Sequence, residues 1–155
     1  MTRALETESH DTATEHTAAS RSEEVERLRH DDIFTYQELA RLDEALTMSS
    51  RETGLRFTLY IGDLGKRTRV QAEEMHARSG GNPVDSVLIA VSPGQKVVEV
   101  VTGAGASRRL PDRACALAVL SMTTSFAAGD LVGGIVNGLR QLSDQAGHPA
   151  TLRRH

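Results

Sequence analysis

Asp31, Asp32, Asp63 and Asp130 are the residues of this chain whose type and placement could do chemistry. Hard cations such as Ca²⁺ or Mg²⁺ prefer carboxylate oxygen, and several Asp side chains can supply half or more of a calcium shell, with water completing it. Held by Asp32, Asp63 and Asp130, such an ion would orient water and neutralise phosphate charge. The plainer alternative is that Asp32 and Asp130 cap or flank helices while Asp63 closes a turn. These residues lie far apart in sequence, so the choice depends on the elements that must bring them together.

The punctuation of the chain is legible. In "FTYQELARLDEALTMSSRETG", Thr35 and Glu38 have capping-box spacing, Leu39, Leu42 and Leu46 recur at helical intervals, and Gly54 suits a left-handed C-terminal position. That predicts a first helix. "LRFTLYIGD" alternates Leu55, Phe57, Leu59 and Ile61, a period-two strand ending at Asp63. A short second helix follows "GKRT", with Thr68 and Gln71 in capping-box positions and "SGGNP" stopping it beyond Ser79. "SVLIAVS" and "VVEVVTG" flank "PGQK", which reads as a hairpin of two strands. Two helices close the chain, roughly 112–128 and 130–145, with Asp130 the N-cap of the second and Gly133, Gly134 and Gly138 allowing close packing.

This order predicts an α/β fold: a three-layer α/β/α sandwich, Rossmann-like, in which a small mixed sheet carries helices on both faces. If the first two strands are parallel, the first helix starts at their carboxyl end, which brings Asp31 and Asp32 to Asp63. The third helix starts at the opposite end, and its ~24 Å, at ~1.5 Å per residue, returns Asp130 to the carboxyl end. Open α/β sheets commonly bind ligands there. Asp85 falls at the other end beside Gly103 and Arg108, where a salt link is expected.

Other residues carry less. "VVEVVTGAGASRRLPD" looks like a strand entering a phosphate loop, but a dinucleotide fingerprint needs Gly where Arg108 stands and a helix starting inside the motif, whereas this helix starts near Asp112. No nucleotide is expected; Gly103 and Gly105 are read as serving the backbone. Arg108, Arg109 and Arg113 form either a solvated basic turn or an anion cradle. His76 has no Ser or Cys partner in sequence and is read as an exposed helical residue, and no Gly-x-Ser-x-Gly elbow is present.

Length and composition set the frame. At 155 residues the chain is read as one domain, residues 30–146, between a disordered N-terminal tail, 1–29, and a polar C-terminal tail, 147–155. His10 and His16 fall in the first tail, His148 and His155 in the second. Residues 1–30 hold seven acids and four bases, which leaves 14 of each in the rest of the chain and the folded part close to neutral. With three Phe, two Tyr and no Trp, that argues against nucleic acid. Cys115 is the single cysteine and reads as a small core residue. No stretch approaches the ~18–20 apolar residues of a membrane span, and "MTRALETESHDTATEH" lacks the apolar core of a secretory signal. A cytoplasmic protein is expected.

"VDSVLIAVSPGQKVVEVVTGAGASRRLPD", followed by "SFAAGDLVGGIVNGL", resembles the TPM domain of thylakoid-lumen phosphatase-like and photosystem-repair proteins, and within it an actinobacterial branch of unknown function. The resemblance spans about residues 30–145. Val84, Asp85, Ser86, Val87 and Leu88 stand where the family has Asp-Asn-Gly-Val-Leu, without its leading acid and Gly. Gly103, Ala104 and Gly105 fill its Gly-Tyr-Gly turn without the Tyr, while Leu110, Pro111 and Asp112 match its helix start and Gly129, Asp130 and Gly134 its last turn and helix. The resemblance implies a Rossmann-like sandwich, divalent-cation binding and, for some members, acid phosphatase activity. The function expected is a non-enzymatic binding or accessory module acting on a protein partner, with Ca²⁺ or Mg²⁺ as candidate ion; the alternative is a metal-assisted phosphatase.

Overall fold

The computed structural model describes residues 34–149. Helix α1 (Tyr36–Thr53) begins with the predicted capping box, in which the Glu38 N–H donates to Thr35 Oγ1 at 3.0 Å and the Thr35 N–H donates to Glu38 Oε1 at 2.9 Å. It ends at Gly54, whose φ of 79° lets its N–H turn back to the Ser50 carbonyl. Strand β1 (Arg56–Ile61), helix α2 (Thr68–Arg78), strands β2 (Ser86–Ser92) and β3 (Val97–Thr102), and helices α3 (Asp112–Ala127) and α4 (Leu131–Ala146) complete the order.

The fold is mixed α/β, with a three-stranded mixed sheet and four α-helices among the described residues. Strand order is β1-β2-β3: β1 runs parallel to β2, Arg56 opposite Ser86 through Ile61 opposite Val91, and β3 returns antiparallel from Val97 opposite Ser92. Every residue of β2 is buried, which is why "SVLIAVS" reads as an unbroken apolar run rather than an alternating one.

Alternate strand residues feed two clusters, as the two-residue period requires. Phe57, Leu59, Ile61, Val87, Ile89 and Val100 join Leu39 and Leu42 of α1, Met122 of α3 and Ile135 and Leu139 of α4. Tyr60, Leu88, Ala90 and Val101 join Leu64 of the loop after β1 and Ala72 of α2 in the other. Burying each large aliphatic side chain contributes about 1.5–3 kcal/mol relative to exposure. The α3–α4 contact runs along glycine, as predicted: a Cβ on Gly134 would lie 2.8 Å from Ser125 Cβ, and one on Gly138 2.7 Å from Met122 Sδ.

Two local expectations are corrected. The capping box predicted for α2 does not form, because the cap position is Arg67 and the Thr68 hydroxyl instead donates to Glu99 Oε2 at 2.8 Å. His76 is buried rather than exposed, 8% accessible, because the turn of α2 carrying it faces the start of β2.

Candidate functional site at the carboxyl edge of the sheet

The loop leaving β1 is stitched to the β2–β3 turn by Gln95. The Leu64 N–H donates to Gln95 Oε1 at 2.8 Å, Ser92 Oγ donates to the same oxygen at 2.6 Å, and Gln95 Nε2 donates to the Gly65 carbonyl at 2.7 Å. Sequence reasoning passed over Gln95, since within "PGQK" it is one more turn residue. Its clamp fixes Asp63 at the carboxyl edge. There the exposed Asp63 carboxylate accepts the Gly65 N–H at 3.0 Å, and its carbonyl accepts the Tyr60 hydroxyl at 2.8 Å.

Asp130 reaches the same edge by topology. After β3, Arg109 donates from its Nε and Nη2 to the Ala146 carbonyl and from Nη2 to the Gly147 carbonyl at 2.7 Å. This ties the C-terminus of α4 to the amino edge. The N-terminus of α4 therefore lies ~24 Å away, sixteen residues at ~1.5 Å each. Asp130 caps it: the Gly133 N–H donates to Asp130 Oδ1 at 2.9 Å. Asp63 and Asp130 thus share one edge, each with one carboxylate oxygen engaged by a backbone N–H. Asp31 and Asp32 lie outside the described residues, as do His10, His16 and His155. Among the described residues, no group of three or more His, Cys, Asp or Glu is placed to hold a metal ion.

The glycine turn at the amino edge serves the backbone. Gly103 donates to the Ser86 carbonyl at 3.0 Å and Gly105 to the Val84 carbonyl at 2.9 Å, while Ser107 N–H returns to Gly103. A Cβ on Gly103 would run into the Pro83 and Val84 carbonyls, so glycine is what lets the two segments touch. The Asp85 carboxylate lies against Gly105. Arg109 of the basic turn is a clamp on α4, while Arg108 and Arg113 are exposed. Half-buried Cys115 has its thiol pushed up from the ordinary 9.0 by burial first and Asp112 second, with Arg69 opposing. No described helix is long and apolar enough to cross a membrane.

Among solved structures, the chain is similar to the BA42 protein of the psychrophilic bacterium Bizionia argentinensis, determined by NMR. The TM-score is 0.65 at 15% identity, over 74% of this chain and 81% of that one. That likeness concerns the fold alone. The uncharacterized proteins MT2543 and Rv2468c of Mycobacterium tuberculosis are each 40% identical over 110 residues, 71% of this chain. The match spans 65% of the length of these curated relatives. The TPM resemblance is corrected: the family model that matches is a different one, and the phosphatase expectation loses the support it drew from that resemblance. Over residues 11–143 the chain belongs to the family described as Domain of unknown function (DUF5130).

Proposed function

We propose that this DUF5130 chain is a cytoplasmic, non-enzymatic binding or accessory module that acts on a protein partner. The observation that carries this reading is on α3: Leu117 and Leu120, three residues apart, are 50% and 62% exposed beside the exposed Ala116. Adjacent exposed apolar side chains are what a partner surface uses. The polar groups elsewhere support it, since Asp63, Asp130, Arg109 and His76 all have hydrogen bonds to the backbone. A domain without excess positive charge also fits a protein partner better than nucleic acid. The layering we infer is a Rossmann-like α/β/α sandwich, α2 against α1, α3 and α4 across the sheet, and the two separate apolar clusters support it. Affinity capture from native lysate tests the function: a reproducible partner that Leu117→Glu with Leu120→Glu abolishes is expected, and capture insensitive to that double substitution overturns it.

The carboxyl edge is proposed as a divalent-cation site formed by Asp32, Asp63 and Asp130. Its hard oxygen donors suit Ca²⁺ or Mg²⁺. Binding to the folded state alone contributes ~2.7 kcal/mol at a hundredfold excess over Kd, and a domain of this size gains ~2–8 °C per kcal/mol. Millimolar Ca²⁺ should therefore raise Tm by several degrees, and Asp130→Asn should remove most of that gain while still capping α4. Equal melting with calcium, magnesium and chelator sinks the site. Phosphomonoester turnover abolished by chelator and by Asp130→Ala would instead establish the metal-assisted hydrolase.

A further inference from the structure

Helices α1 and α4 run side by side with a groove between them, a cavity of about 220 Å³. Met48, Val136 and Leu139 contribute its apolar lining, and Arg41, Glu44 and Arg140 line it with both signs of charge. Met48 is 50% exposed. Ser143, only 6% exposed, also lines the groove, and its buried hydroxyl has no hydrogen-bond partner among the described residues. A buried polar group without a partner destabilises the fold. An occupant that supplies an acceptor or donor there removes that cost.

We propose that residues 22–30 of this same chain, "SEEVERLRH", lie in the groove. The segment is tethered at its mouth: three residues separate it from Phe34, which precedes α1, and α1 is one wall. The groove runs from Arg41 to Glu52, and Glu52 is sixteen residues, ~24 Å, beyond Tyr36. Nine residues span ~13 Å as helix or up to ~30 Å extended, against ~16 Å along α1 between Arg41 and Glu52, so the segment covers most of the groove in one form and all of it in the other. Val25 and Leu28, three apart, supply apolar side chains for the Met48–Val136–Leu139 lining. Glu23, Glu24, Arg27 and Arg29 carry both signs of charge, as the lining does. The DUF5130 match begins at residue 11, so the segment is part of the family's own unit.

Paramagnetic NMR on the full chain tests this. In a Cys115→Ser background, a spin label at Asn137→Cys, exposed on α4 next to Val136, should erase most of the amide signal of residues 22–30. A label at Leu120→Cys, on α3, should leave those signals intact, and Val25→Asp with Leu28→Asp should restore them under the Asn137 label. Full-intensity signals with the Asn137 label overturn the proposal. So does broadening in a mixture of isotope-labelled chain with separately spin-labelled chain, because the occupant is then a second copy.

Discussion

His76 Nε2 lies 3.0 Å from Ser86 Oγ and 3.1 Å from the carbonyl oxygen of the same residue. A serine hydroxyl beside an imidazole suggests a nucleophile and its base, but the carbonyl decides against it. A carbonyl oxygen only accepts, so the proton belongs on Nε2, and that nitrogen cannot take the serine proton. The Ser86 hydroxyl donates instead to the Pro83 carbonyl at 3.2 Å. The pair is a lock between α2 and the first residue of β2. NMR of the imidazole nitrogens should find hydrogen on Nε2. His76→Ala removes this donor while the Ser86 carbonyl keeps its bond from the Gly103 N–H, so it should cost about 0.5–1.5 kcal/mol in urea unfolding at unchanged slope. An Nδ1–H tautomer would defeat this assignment.

The parts of the fold legible in the sequence are those decided within one or two turns of chain. Thr35 with Glu38, Gly54 and Asp130 act on backbone three or four residues away, so their spacing announces them. Thr68 has the same spacing but fails, because Glu99, 31 residues on, takes its hydroxyl. The His76–Ser86 pair crosses a loop and leaves no local trace. Placing Asp63 and Asp130 at one edge needs only the strand order, whereas the Gln95 clamp depends on side-chain geometry across a turn. The family was misread for a related reason. "GAG" and "GD" followed by Gly134 satisfy packing demands, a strand end passing Pro83 and a capped helix lying close to α3. Such demands belong to an architecture, and chains of different families meet them alike.

Glycine substitutions separate close approach from mere turn residues. Gly103→Ala should lose at least ~1–3 kcal/mol, the usual scale of overpacking, because its Cβ meets backbone at Pro83 and Val84. Gly134→Ala should also destabilise, with its Cβ 2.8 Å from Phe126 Cε1. Gly80→Ala meets nothing within 4 Å and should be neutral or stabilising by up to ~1 kcal/mol. Thermal denaturation of the three variants checks the order, and a Gly103→Ala protein as stable as Gly80→Ala contradicts it.

Arg109 holds the end of α4 by donating to the carbonyls of Ala146 and Gly147. Hydrogen bonds to a charged group contribute ~1.5–3 kcal/mol, and the half-buried guanidinium places this one toward the lower end. Arg109→Met keeps the aliphatic stem and removes the donors. Amide exchange should then quicken at 143–147, with little change in β2. Exchange altered equally throughout would mean the clamp supports the whole domain rather than one helix end.

Cys115 offers a pH test with a definite sign. Burial disfavours the thiolate in the folded chain, Asp112 adds to that, and Arg69 opposes it, so the folded thiol titrates above its ordinary 9.0. Unfolding releases the group to ionise at its ordinary value. Its contribution to stability is therefore complete below 9.0 and declines as pH rises through the folded value. Cys115→Ala lacks this term and should lose less stability than wild type over that alkaline interval, which subtracts the tyrosine and lysine titrations common to both. Thiol labelling reads the same shift directly, because only the thiolate reacts. The rate profile should lie to the alkaline side of a free cysteine, move toward it in Asp112→Asn and further away in Arg69→Gln. A wild-type profile that overlays free cysteine would show that the thiolate is not disfavoured in the fold.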